Sequence, residues 1–345
     1  MSRVSTPPVP VPRLPGGPSY SQRSCGTGGR DGFSFPSSHP PCGLAMGGRM
    51  SLVEARASRA RKPVEYEVTV DHVRMDTHDT ATLFLDFGGV PLDYKAGQFL
   101  NIDPHQFPAL GRLSAYLQEQ KGRKEPQRSY SLASAPHEPL VAITVKDEEF
   151  IPGLTRYPPL LSPYLVHGRL TGARMKVMAF MGPYVLPEDV EERTEHVVHL
   201  VAGSGAVPNF AILKDALHRG LKLRHTFLFS NKTWGDVLYG EELAALEREH
   251  PDRVRVVHTL TRETDESRFG AAVRKGRVHQ SLLEELIQDR ETCLVYACGP
   301  AITPWDRRKA LETRTPSTPR FMETVLGHLH ALGIEDKRIK REAYG

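Results

Sequence analysis

The feature that most restricts this chain is a change of hydrophobic rhythm near residue 195. From Val64 to about Glu188, apolar residues alternate over short stretches such as VEYEVTVDHV, TATLFLDF and LVAITVK, punctuated by Gly and Pro. Period-two alternation marks half-buried strands, because successive side chains point to opposite faces. Downstream, HVVHLVAG, LRHTFLFS, VRVVHTLT and TCLVYACG are nearly continuous apolar runs, and RIKREAY closes as a strand. Between them lie helical segments: PNFAILKDALHRG, GEELAALEREH, QSLLEELIQD and a 319–332 helix whose Phe321, Met322, Val325, Leu326, Leu329 and Leu332 form a core-facing stripe. Strands apolar on both faces belong in a parallel sheet covered by helices. The reading is an all-β barrel or sandwich over residues 63–190, then a doubly wound α/β domain over 191–345.

Residues 1–62 are different. The first 50 hold nine of the 28 Pro and nine of the 29 Gly with no period, which predicts a disordered leader. We favour translation starting at Met46 or Met50 over a functional tail. The leader carries nine basic against two acidic residues, +7 of a chain total of +4, so residues 63–345 carry −3. The basicity therefore gives no nucleic-acid reading for the folded part. No run reaches the roughly 18 to 20 apolar residues of a membrane-spanning helix. Cys25, Cys42, Cys293 and Cys298 contain no C-x-x-C pair or C-x4-C-x2-C cluster motif, so free thiols and a cytoplasmic protein are expected, with any iron-sulfur centre on another polypeptide.

Two glycine turns carry the chemistry. VHLVAG runs into Gly203-Ser204-Gly205-Ala206-Val207-Pro208 and then a helix. Glycines let the backbone approach a pyrophosphate, whose charge the helix N-terminus favours, and Pro208 suits a first turn that needs no N–H. Ala297-Cys298-Gly299-Pro300 ends a later strand of the same sheet, where ligands meet open parallel sheets. In the first half, Arg128-Ser129-Tyr130-Ser131 would put a cation and an aromatic ring on one face of a strand and two hydroxyls on the other, except where the strand end twists. Each segment alone also fits an ordinary turn or exposed strand.

Together they resemble the ferredoxin reductase-like superfamily of flavin and nicotinamide oxidoreductases. The matching segments are AGQFL at 96–100, RSYSLASAPHE at 128–138, ITVK at 143–146, Ser162 in LLSPYL, GPY at 182–184, GSGAVP at 203–208, CGP at 298–300 and the closing REAYG. The resemblance implies a Greek-key antiparallel β-barrel FAD domain followed by an NAD(P) domain. It implies that Arg128 holds the FAD pyrophosphate, Tyr130 stacks on the isoalloxazine and Ser131 hydrogen-bonds near its N5. Val145, Lys146 and Ser162 would form a second pyrophosphate segment. Gly203, Gly205 and Pro208 would accept the nicotinamide dinucleotide, Cys298 and Gly299 would border the nicotinamide, and Ser129, Ser204 and Pro300 complete the cofactor contacts. Tyr344, followed here by Gly345, is similar to an aromatic that covers the flavin face in some members. Ser131, Cys298 and Tyr344 are thus the implied catalytic set. The chemistry is hydride transfer from nicotinamide to flavin, so no general acid or nucleophile is required, and Cys298 is the nearest thing to a reactive side chain.

Thr261-Arg262 resembles the pair that binds the 2′-phosphate in NADPH-using members, Lys232 could assist, and Arg suits that dianion. NADPH is favoured over NADH. Three stretches exceed what the family needs: 101–127, 147–161, which lacks the usual Gly-Gly, and 301–319. They are expected to be long loops, functional or disordered. Trp305, Arg307 and Arg308 in the third suggest either a docking surface for an acidic redox partner or a solvated charged loop. His196 with His199, and His328 with His330, point apart on their elements and predict no metal site. Three functions compete: a reductase feeding a separate acceptor protein such as a ferredoxin or oxygenase, a reductase for a diffusible flavin, ferric chelate or quinone, and a redox-silent binding module.

Overall fold

The alternating segments pair into an antiparallel sheet whose register keeps one side chain in two pointing inward. β1 (Val64–Thr77), β2 (Thr80–Asp86), β3 (Phe99–Ile102), then helix α1 (Gly111–Lys121), β4 (Arg128–Ser131), β5 (Val141–Lys146), helix α2 (Ser162–His167) and β6 (Arg174–Met181) follow in chain order. The sheet order is β4-β3-β6-β1-β2-β5. A bridge between Leu132 and Ile143 joins the two outer strands, and the Ala133 N–H donates to the Ala142 carbonyl at 2.7 Å. These contacts bring the two outer strands together and close the sheet into a barrel. Val68 and Val70, Leu83 and Leu85, and Leu100 and Ile102 are i, i+2 pairs that fill it. Each such burial contributes about 1.5–3 kcal/mol.

The computed structural model describes residues 63–152 and 155–344. The leader 1–62, with its proposed start sites and Cys25 and Cys42, lies outside the described residues.

The second half runs α3 (Val190–Arg193), β7 (His196–Ala202), α4 (Ala206–His218), β8 (Arg224–Asn231), α5 (Gly240–Glu249), β9 (Val254–Leu260), β10 (Val273–Lys275), α6 (Gln280–Leu286), β11 (Leu294–Pro300), α7 (Pro304–Thr313), α8 (Phe321–Ala331) and β12 (Ile339–Tyr344). All strand pairs are parallel, in the order β10-β9-β8-β7-β11-β12. On one face α4 and α5 pack Phe210, Leu213 and Leu243 on Phe227 and Phe229. On the other, α6 and α8 pack Leu283, Val325 and Leu329 on Leu228 and Val295. This is the doubly wound arrangement that continuous apolar strands require.

The insertions correct the expectation of long loops. The first contains α1, anchored by Leu117 and stopped by Gly122 at φ 66°. The third contains α7, started by a capping box between Thr303 and Asp306. Insertions two and three touch: the Arg156 guanidinium lies over the Trp305 ring at 5.9 Å, which withdraws that ring from the surface, while Arg307 and Arg308 are exposed. Lys121 at the end of α1 sits 4.9 Å over Tyr157.

Candidate active site at the switch point

Strand order reverses between β7 and β11, so the connections leaving these neighbours go to opposite faces and a crevice opens at their carboxyl ends. A cleft of about 400 Å³ lies there, lined by residues of both halves. Thr80 and Lys146 come from the barrel; Gly203, Ser204, Ser230, Asn231, Thr261, Arg262, Arg277 and Pro300 come from the sheet, with Tyr344 on the last strand.

The Gly203–Gly205 turn serves two needs. Gly203 has φ 53° and nothing within 4 Å of where a Cβ would stand, so its outer face is open. Gly205 is the opposite: a Cβ would fall 2.2 Å from the Cys298 carbonyl oxygen. The turn therefore packs directly on the end of β11, and only glycine permits that approach. Pro208 follows, buried in the first turn of α4, where it forgoes no hydrogen bond.

The cleft is electropositive. Lys232, Arg262 and Arg277 have no side-chain partner among the described residues, whereas Lys146 is paired with Asp79. Asn231 is 7% exposed, yet neither its amide nitrogen nor its amide oxygen has a hydrogen-bond partner. An orphaned buried amide facing a cleft of unpaired cations is a site built for a polar, anionic ligand.

Beside the cleft is a second cluster. Tyr344 donates to Ser131 Oγ at 2.5 Å, and Ser131 donates to Glu342 Oε1 at 3.0 Å. β12 alternation puts Glu342 and Tyr344 on one side, and Ser131 is the point where the end of β4 turns inward. Burial raises the Glu342 carboxyl above its usual range, with hydrogen bonds from Ser131 and Tyr344 partly offsetting it. The Cys298 thiol, on the neighbouring β11, is fully buried; desolvation and then Glu342 push its acidity well out of reach. Burial thus favours its neutral thiol form.

The RSYS strand divides. Ser131 reaches the cluster, while Ser129 donates to Asn101 at 2.7 Å on the outer face of the barrel. Tyr130 is half-buried against the barrel core. Arg128 is ion-paired at 2.9 Å with Glu125, a carboxylate that also meets Lys121 at 2.7 Å. Burial alone would raise Glu125, but the two cations hold it below the usual carboxylate range. Val145 points into the barrel core, and Ser162 opens α2 away from the cleft lining. Glu342, Asn231 and Arg277 were missed by sequence reasoning. REAYG contained the signal for Glu342, two residues before Tyr344; nothing local marked Asn231 or Arg277.

The family model described as an oxidoreductase NAD-binding domain matches residues 200–303. An NADPH oxidoreductase of Mycobacterium tuberculosis is 31% identical over 236 residues, covering 66% of this chain and 51% of that protein. A ferredoxin-NADP reductase of Thermosynechococcus vestitus is 28% identical over 238 residues, 63% of this chain and 56% of the relative. The chain thus spans about half the length of the curated relatives it matches. Among solved structures, the flavohem-like FAD/NAD-binding domain of nitric oxide dioxygenase from Vibrio cholerae superposes with TM-score 0.60 at 24% identity, over 81% of this chain and 98% of that one. No helix among the described residues is long and apolar enough to cross a membrane. A barrel that closes on the switch point of a parallel sheet and the glycine turn seated on β11 agree with these matches: residues 200–303 fit the oxidoreductase NAD-binding domain, and the fold is that of the FAD/NAD-binding domain on which the chain superposes.

Proposed function

We propose that the protein is an FAD-dependent reductase that takes hydride from NADPH and passes electrons to a separate acceptor protein in the cytoplasm. The observation that carries this is the cleft, where barrel and sheet residues meet around three unpaired cations and an orphaned amide. In this reading residues 63–190 hold FAD and residues 191–345 hold the nucleotide. When bound, FAD accepts hydride and releases electrons singly or in pairs.

The residues present fit both groups. Gly203 and Ser204 offer backbone to a pyrophosphate, with Gly205 and Pro208 holding the turn. Arg262, Lys232 and Arg277, beside the Thr261 hydroxyl, supply more positive charge than a two-phosphate dinucleotide needs, which supports NADPH over NADH. Asn231 has two free hydrogen-bonding atoms for the nucleotide. Arg128 spends two contacts on Glu125 and the Pro126 carbonyl, leaving donors of its five N–H groups for the FAD pyrophosphate. Lys146 and the backbone at Val145 would add to that grip, and Tyr130 would flank the flavin. Ser162 and Ser129 stand farther out, and they carry the smallest roles. Cys298, Gly299 and Pro300 at the end of β11 would border the nicotinamide, and Tyr344 would lie beside the flavin.

Among the residues, the polarity of the Tyr344–Ser131–Glu342 chain matters most. The Glu342 carboxylate accepts, so Ser131 must donate to it and Tyr344 to Ser131. A carboxyl raised by burial can hold a proton at Oε1 and return it through Ser131 Oγ. Support for a protein acceptor comes from relatives named as ferredoxin reductases. Steady-state reduction of an acidic plant-type ferredoxin, compared with free flavin and ferric citrate, tests this reading. A kcat/KM for ferredoxin far above that for the small acceptors is expected; the reverse order makes the protein a reductase for diffusible acceptors.

A further inference from the structure

The barrel and the sheet are joined by a closed circuit of polar contacts that the cofactor reading does not use. Thr82 donates to Asp76 Oδ2 at 2.5 Å, the Thr82 and Thr144 hydroxyls lie 2.5 Å apart, and Thr144 and Tyr239 hydroxyls are also 2.5 Å apart. Because an ionised carboxylate only accepts, direction is fixed along the chain: Tyr239 donates to Thr144, Thr144 to Thr82, and Thr82 to Asp76. Arg74 completes the circuit, reaching Asp76 at 2.7 Å and Glu242 of α5 at 3.3 Å. Asp76, Thr82 and Thr144 belong to β1, β2 and β5 of the barrel; Tyr239 and Glu242 belong to the start of α5.

Tyr239 is an odd residue for its position. It has φ 55°, a left-handed conformation that costs a residue with a Cβ about 1–2 kcal/mol. It is 5% exposed, and its ring stacks on Phe210 of α4 at 4.3 Å and 13°. Thr82 and Thr144 are buried as well. A strained backbone is kept only where its surroundings over-determine it. Here the determinants are the stack on α4 and the hydroxyl that crosses to the barrel.

We propose that Tyr239 is a positioning residue: its hydroxyl, through Thr144, Thr82 and Asp76, fixes the angle between the barrel and the sheet and so aligns whatever the two halves bind. This rests on the reading in which one half holds flavin and the other NADPH. Hydride transfer is sensitive to ångström-scale misplacement of its partners, and the Tyr239 circuit is a buried, directional connection between the two halves.

The test removes one hydroxyl at a time. Tyr239→Phe keeps the ring and the stack; Thr144→Val cuts the chain from the other side. In FAD-loaded protein each is expected to slow flavin bleaching by NADPH about 10-fold, with FAD content and the NADPH saturation constant within about twofold of wild type. The double variant should be no slower than either single one, because both break the same chain. Thr144→Ser should restore the wild-type rate. In cofactor-free protein, amides of α5 and β5 should exchange hydrogen faster in Tyr239→Phe and Thr144→Val. Unchanged bleaching, or a slowing explained by lost FAD or a general fall in melting temperature, overturns the proposal. If Tyr239→Phe does not fold, Thr144→Val with its Ser rescue decides alone. If the wild type itself is not bleached, the cofactor reading fails, and the exchange measurement still judges the circuit.

Discussion

Tyr344 and Ser131, 213 residues apart in sequence, share a hydrogen bond of 2.5 Å that ties the last strand of the sheet to the RSYS strand of the barrel. Ser131 passes the contact to Glu342, so a barrel residue and two residues of the last strand form one cluster. Glu342→Gln keeps the shape and removes the proton-holding carboxyl. Hydride transfer itself needs no proton, so flavin reduction by NADPH should stay within about twofold, while turnover with an acceptor should fall about 10- to 100-fold at neutral pH. In the wild type a step that needs the protonated carboxyl slows as pH rises through its raised pKa, and this limb should be absent from the Gln variant. Stopped-flow reduction and steady-state turnover across pH check both statements.

Arg262 and Arg277 are the unpaired cations whose loss is simplest to read. Arg262→Ala and Arg277→Ala should each raise KM for NADPH roughly 10-fold or more, the size of a charge-assisted hydrogen bond of about 1.5–3 kcal/mol, and leave KM for NADH nearly unchanged. Equal effects on both nucleotides would place these cations at the shared pyrophosphate.

The two glycines of the nucleotide turn should behave oppositely. Gly205→Ala drives a Cβ against the Cys298 carbonyl, which is backbone and cannot swing aside. A melting temperature lowered by many degrees, or failure to accumulate, is expected. Gly203→Ala meets nothing and carries only the left-handed strain, about 1–2 kcal/mol. It should fold, and it should bind nucleotide more weakly because its open face is where the ligand would lie.

The buried histidines set an acid limit on stability. His199 Nδ1 donates to Asn209 Oδ1 at 2.8 Å, which leaves Nε2 to accept from His225 Nδ1 at 3.0 Å, so both rings are neutral. Burial lowers His199 from 6.5 to about 4 and His225 well below its ordinary value. His258 is likewise lowered to about 4 by burial. Between pH 6.5 and 4 the unfolded chain binds protons that the folded one refuses, so stability is fully present above about 6.5 and is lost as pH falls toward 4. His199 alone accounts for about 3 kcal/mol at the acid end. Urea denaturation at pH 7.5 and 5 should show the drop, and flat stability would contradict it.

The fold was legible because it is written in periodicity: alternation in the barrel, continuous apolar runs in the sheet, and a stripe at Met322, Val325 and Leu329. The glycine turn was legible too, since Gly203 takes a left-handed φ and Gly205 packs where a Cβ would strike the Cys298 carbonyl. Local sequence could not show pairing across the chain. Glu342 becomes part of a site only when β12 lies beside β11 and faces Ser131, and Arg277 only when the turn after β10 folds toward the β7 end. The insertions were misread as loops because α7 buries no residue and so lacks an apolar stripe; its capping residues Thr303 and Asp306 were the available signal.

The most direct measurement is anaerobic titration of the FAD-loaded protein with NADPH, and separately with NADH, followed through the long-wavelength flavin absorbance. The account predicts stoichiometric bleaching by NADPH at lower concentration than NADH requires. A protein that retains no flavin after reconstitution, or whose flavin neither nucleotide bleaches, would contradict it.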